Sequence, residues 1–176
     1  MSAETPAPNL DQPLDPAGAD ADDPSESTGS GLAAEKARRL ARIDALRDAG
    51  VAPYPYRFDR THTVAEVRSN WGDLEPGIET EQSVTVAGRI MLLRDSGKLI
   101  FATLRDRSGD VQLFVSKAVV GDEAFAEIKQ LDLGDWVGVS GTVMTTRKGE
   151  LSVKAERIDL LAKAVRPLPD KWHGLS

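Results

Sequence analysis

From Gln82 to Leu161 apolar and polar residues alternate in short runs broken by turn residues, a period of two that suits β-strands and not helices. Val84 to Arg94 is rich in β-formers, and Gly88 within it is expected to mark a bulge or tight bend. Asp95-Ser96-Gly97 reads as a turn. Ile100, Ala102 and Leu104 then alternate with Leu99, Phe101 and Thr103, before Arg107-Ser108-Gly109-Asp110 turns the chain again. Val111, Leu113 and Val115 form a third run. The segment Asp122 to Leu131 changes to helical spacing, with Phe125 and Ile128 inward. Val137, Val139, Val143 and Thr145 follow Leu133-Gly134-Asp135. After the hairpin turn Arg147-Lys148-Gly149, the runs Leu151, Val153, Ala155 and Ile158 to Leu161 complete the set. Gly134 and Gly149 fit corners where the chain reverses.

Three strands, a helix and two strands at this spacing predict a mainly β fold, the five-stranded Greek-key barrel called the OB-fold. Side-chain parity then assigns faces. With Ile100, Ala102 and Leu104 in the core, Phe101 faces out. With Val111, Leu113 and Val115 in the core, Gln112 and Phe114 face out. The same count turns Glu150, Ser152 and Lys154 away from the core. Ile90-Met91-Leu92-Leu93 has no alternation, so the face of Arg94 is unreadable. An exposed Phe beside an amide and several cations is a surface on which an unpaired base can stack. Gln112 can donate and accept at once, which suits the edge of uracil; Glu150 can accept from a ring N–H or amine; Arg94 offers forked donors. The competing reading packs Phe101 under the N-terminal helix.

The flanking residues divide into an acidic tail (1–31), a helical and strap region (32–81), the barrel (82–162) and a connector (163–176). The tail holds five of the ten prolines, seven carboxylates and no Lys or Arg, and is expected to be disordered. It accounts for more than the whole net charge of -6. The remainder is therefore nearly neutral, which leaves a nucleic-acid partner open. Leu32 to Ala49 reads as a helix with Ala37, Leu40, Ile43 and Leu46 recurring every three residues and Gly50 as its stop. Its cations, Arg38 and Arg42 among them, are candidates for phosphate contacts, as are Lys98 and Lys154 beside the sheet. Pro53 to Phe58 is an extended strap whose Tyr54, Tyr56 and Phe58 are expected to pack on the domain. A second short helix is expected over Thr63 to Asn70, stopped at Trp71-Gly72.

Several functions are excluded or disfavoured. There is no Cys, hence no disulfide or thiolate metal site. The two histidines, His62 and His173, have no acidic cluster at ligand spacing, so no metal is expected. No secretory signal or membrane-spanning run is present, which predicts a soluble, cytoplasmic protein without a membrane partner. Neither a glycine-rich phosphate loop nor a nucleophile–His pair stands out, so no catalytic residue is assigned.

Five segments carry a resemblance: RDAGVAPYPYRF (Arg47 to Phe58), VAGRIMLLRDSGKLIF (Val86 to Phe101), LDLGDWVGV (Leu131 to Val139), TRKGELSV (Thr146 to Val153) and RPLPDKWHGL (Arg166 to Leu175). Together they resemble the N-terminal, anticodon-binding part of bacterial lysyl-tRNA synthetase, a class II aminoacyl-tRNA synthetase, of the actinobacterial type. The resemblance covers about residues 35–176. Aspartyl and asparaginyl relatives share the Leu104-Arg105-Asp106-Arg107-Ser108-Gly109 look, but the connector and strap favour the lysyl family. The resemblance implies that the barrel reads the U-rich lysine anticodon. Phe101 would stack on the central uridine, Gln112 and Arg94 would bond its edge, and Glu150 would contact the neighbouring base. It also implies ATP and Mg2+ only for a catalytic core that this chain, ending at Ser176, is expected to lack. That core carries the family's main homodimer surface. The Met1 start and tail predict no upstream fusion partner. Two other functions remain open: a generic single-strand binder and a protein-interaction module.

Overall fold

The computed structural model describes residues 24–55 and 57–168, with side chains of the first helix from residue 31 onward. Residues 1–23, Tyr56 and 169–176 lie outside the described residues, and with them most of the expected tail, one strap aromatic and the far half of the connector. Five strands, β1 (Glu79–Asp95), β2 (Leu99–Asp106), β3 (Gly109–Ser116), β4 (Trp136–Thr145) and β5 (Leu151–Ala162), close into a barrel in the order β1-β2-β3-β5-β4. Every pairing is antiparallel except β3 with β5, where Gln112 to Val115 run parallel to Ser152 to Ala155. β1 serves two neighbours: Glu79 to Arg89 lie along β4, and Arg89 to Asp95 along β2.

The period-two reading of the core holds. Ile100, Ala102, Leu104, Val111, Leu113, Val115, Val153 and Ala155 are all buried inside the barrel with Val84, Val86, Ile90, Val137, Val139 and Val143. Each large side chain removed from water here contributes about 1.5–3 kcal/mol. Two helices add to the same cluster. α2 (Val64–Trp71) delivers Val64 and Val67, and its Thr63 cap closes a capping box with Glu66. After the single turn α3 (Lys117–Val120), α4 (Asp122–Ile128) delivers Phe125 and Ile128 as expected, ending three residues before Leu131. Gly134 and Gly149 take φ of +98° and +83° at the corners read from sequence.

Four expectations change. The first helix, α1, spans Pro24–Asp48 and so begins inside the stretch assigned to the disordered tail. Proline at a first helical position loses no hydrogen bond, which makes Pro24 a natural start. Its inward face is also not the one that three-residue spacing selects: Ile43 and Arg39 are buried, whereas Ala37 and Leu40 are exposed. Third, Gly88 is not the bulge. A side chain there would strike the Arg105 carbonyl oxygen at 2.5 Å, so glycine permits close backbone approach, and the register shift falls between Ile90 and Leu92. Fourth, Ser152 turns away from the core but is fully buried. The strap behaves as expected where described: Phe58 lies against Gly138, leaving no room for a Cβ, and Tyr54 Oη donates to the Lys163 carbonyl at 3.2 Å.

Candidate nucleic-acid interface

The Met91 bulge decides the face of Arg94. Ile90 points inward, and strict alternation would send Leu92 and Arg94 inward after it. One extra residue reverses that parity: Leu93 packs against the core opposite Ala102, while Leu92 and Arg94 emerge opposite Thr103 and Phe101. Arg94 thus joins the outer face that parity had assigned to Phe101 and Gln112.

That face forms one groove of about 900 Å³. Arg94, Phe101, Gln112 and Glu150 all line it, so the structure gathers the four anticodon candidates in a single depression. They come from β1, β2, β3 and the turn before β5. Phe101 sits opposite Phe114 across the β2–β3 ladder, and the rings meet edge to face, centroids 5.5 Å apart at 74°. Such a pair holds its rings more firmly than area burial alone, by about 0.5–1.5 kcal/mol. Phe101 is therefore partly buried against Phe114 with a flank open to the groove, and does not depend on α1 for cover.

Behind Gln112 lies the buried Ser152. Gln112 Nε2 donates to Ser152 Oγ at 2.9 Å, and Ser152 Oγ donates to the Glu150 carbonyl at 3.0 Å. The hairpin turn adds Thr146, Arg147 and Lys148 to the rim. Sequence reading marked Arg147 and Lys148 only as turn residues; the signal missed was that this turn bridges β4 and β5 beside the groove. Among the described residues Arg94, Arg147 and Lys148 form no ion pair, so their charge is available to a ligand. At the groove edge Lys154 is paired with Glu79.

The remaining phosphate candidates lie elsewhere. Lys98 is exposed in the β1–β2 turn. Arg42 lines a separate hollow of about 190 Å³ between α1 and the α4–β5 side, with Leu46, Val51, Ile128 and Ile158. Arg38 is engaged within the chain by Glu35, at 2.7 Å, and Asp132. It belongs to a charged cluster that seats α1 on the barrel. The buried Lys163 ammonium contacts Asp132 and, at 2.7 Å, the fully buried Asp135. Arg39 reaches past Glu35 to the Leu133 and Ala164 carbonyls, each at 3.1 Å. Burial pushes the Asp132 carboxyl up, but hydrogen bonds from Lys163 and Arg38 outweigh it and hold it below the usual range. Hydrogen bonds from Arg38 and Arg39 bring Glu35 down to about 2.

Among the described residues no group of His, Asp and Glu could hold a metal ion, and no helix is long and apolar enough to cross a membrane. Residues 84–161 match the family model of the OB-fold nucleic acid binding domain. The chain is similar to proteins named lysine–tRNA ligase. One from Synechococcus sp. (strain RCC307) is 50% identical over 139 residues, covering 78% of this chain and 28% of that protein. One from Enterococcus faecalis is 49% identical over 140 residues with the same coverage. One from Magnetococcus marinus is 48% identical over 141 residues, covering 79% of this chain. The chain spans little more than a quarter of the length of these relatives.

Proposed function

Residues 84–161 being an OB-fold nucleic acid binding domain that fits the anticodon-binding region of lysine–tRNA ligases, we propose that the groove reads the anticodon of lysine tRNA. The observation that carries this reading is the convergence of Arg94, Phe101, Gln112 and Glu150 on one open groove. A central uridine, unstacked from its loop, lies on the open flank of Phe101. Gln112 and Arg94 bond its edge, and Glu150 accepts from the next base. Arg147 and Lys148, with Lys98 at the far turn, supply phosphate attraction that is blind to sequence. Recognition of this kind serves a ligase whose ATP, Mg2+, lysine chemistry and pairing of two copies are supplied by residues other than these, in the cytoplasm.

The test is a fluorescence-anisotropy titration with a lysine anticodon stem-loop and with the same loop carrying cytidine at the central position. A preference for uridine of about tenfold or more is expected, since a mispaired polar edge costs roughly 1–3 kcal/mol. Equal binding to both loops makes the domain a generic single-strand binder. Binding to neither, with no competition by tRNA for a protein partner, removes the nucleic-acid reading.

A further inference from the structure

The buried hydroxyl behind Gln112 has no place in the four-residue reading above, yet its hydrogen bonds are ordered in one direction. Ser152 Oγ carries a single proton, and the Glu150 carbonyl 3.0 Å away can only accept. The proton is therefore committed to Glu150, and toward Gln112 the hydroxyl can only accept. Gln112 must present its amide nitrogen to Ser152, which it does at 2.9 Å. With Ser152 fully buried, no solvent competes for this relay. The amide is left with Oε1 and one N–H toward the groove, and Oε1 has no partner among the described residues.

We infer that Ser152 is a positioning residue that sets the Gln112 amide with its carbonyl oxygen toward the ligand and so determines which pyrimidine is accepted. This inference rests on the anticodon reading proposed above. Uracil carries a hydrogen on its ring N3 and meets Oε1 as a donor. Cytosine has a bare N3, so the same geometry sets two lone pairs against each other. A reversed amide would offer Nε2 to that nitrogen and welcome cytosine. The serine blocks the reversal, because a reversed amide would put its oxygen against an oxygen that has no proton left to give. Discrimination then arises from the unfavourable contact as much as from the favourable one.

Two measurements test this on the chain as it stands. In the free protein, the two side-chain amide protons of Gln112 are expected to exchange with solvent at different rates by NMR, and at similar rates in Ser152→Ala. Equal, fast exchange in the wild type overturns the relay whatever the variant does. In the second measurement, Ser152→Ala is titrated with the uridine and cytidine stem-loops. The uridine preference is expected to fall from about tenfold or more to roughly threefold or less, with tighter binding of the cytidine loop in absolute terms. A purely structural serine would weaken both loops together. Ser152→Thr, which keeps the hydroxyl, is expected to retain the wild-type ratio. A wild type that prefers uridine beside a Ser152→Ala variant that prefers it equally overturns the inference and leaves the anticodon reading intact. A wild type with no preference overturns the reading and the inference with it.

Discussion

Phe101 is held by two neighbours of different kind, the Phe114 ring at its edge and the Arg94 backbone across the β1–β2 ladder. Its ring lines the groove, where it is a flat apolar surface on which a base could stack. Phe101→Ala is expected to weaken stem-loop binding by about 1–3 kcal/mol, the worth of one stacked base, and also to lower the melting temperature as the Phe114 contact is lost. Anisotropy titration beside thermal unfolding separates the two effects, and unaltered affinity would remove Phe101 from the site. At this scale the sequence was readable wherever alternation was unbroken, which is how parity placed Phe101 and Gln112 outward. It failed at Arg94, because a bulge inside four consecutive apolar residues leaves no mark on their pattern. It also failed to show that Ser152 is covered: parity reports the face on which a side chain stands and not what another strand lays over it.

The attachment of α1 shows what an element adds beyond its own residues. An apolar periodicity search weighs Leu40 and Ala37 as core and Arg39 as surface, but here an arginine is buried because carbonyl oxygens and Glu35 meet its donors. Positions 35, 39, 42, 43 and 46 do follow a helical period, with charge where hydrophobicity was sought. The cluster predicts a graded response to mutation. Lys163→Met leaves the fully buried Asp135 without its ammonium partner and Asp132 with Arg38 alone, and is expected to cost about 3–5 kcal/mol in a denaturant titration. Arg38→Ala removes an exposed partner of the same Asp132 and is expected to cost no more than about 1 kcal/mol. Equal costs would mean that Lys163 is not the anchor. Acid should act on the same joint. Glu35 and Asp132 both have folded-state values below their unfolded ones; the Glu35 contribution is complete above about pH 4.5 and is lost as pH falls toward about 2, and that of Asp132 is lost in the same direction. The Ile43 methyl resonance, on the buried face of α1, should move over that window, and a shift confined to higher pH would contradict the assignment.

At the scale of the whole molecule, the element order alone pointed to this barrel, since three strands, a helix and two strands have few compact arrangements. What order could not supply was the join, because strands distant in sequence meet only through closure. The parallel contact of β3 with β5 is that join, and Gln112 and Ser152 are the first matched residues along it. The proposed reader is consequently not a property of any contiguous piece of chain. A nascent polypeptide that has made β1 through β4 possesses Phe101, Arg94 and the Gln112 amide, but that amide is free to rotate and its discrimination is not yet defined. On the proposed reading, fidelity begins only with the final strand. If the groove reads the anticodon as proposed, occupancy by the correct base would favour the closed seam over every opened state, and the nucleic acid would act as a clasp on the last stitch of the fold.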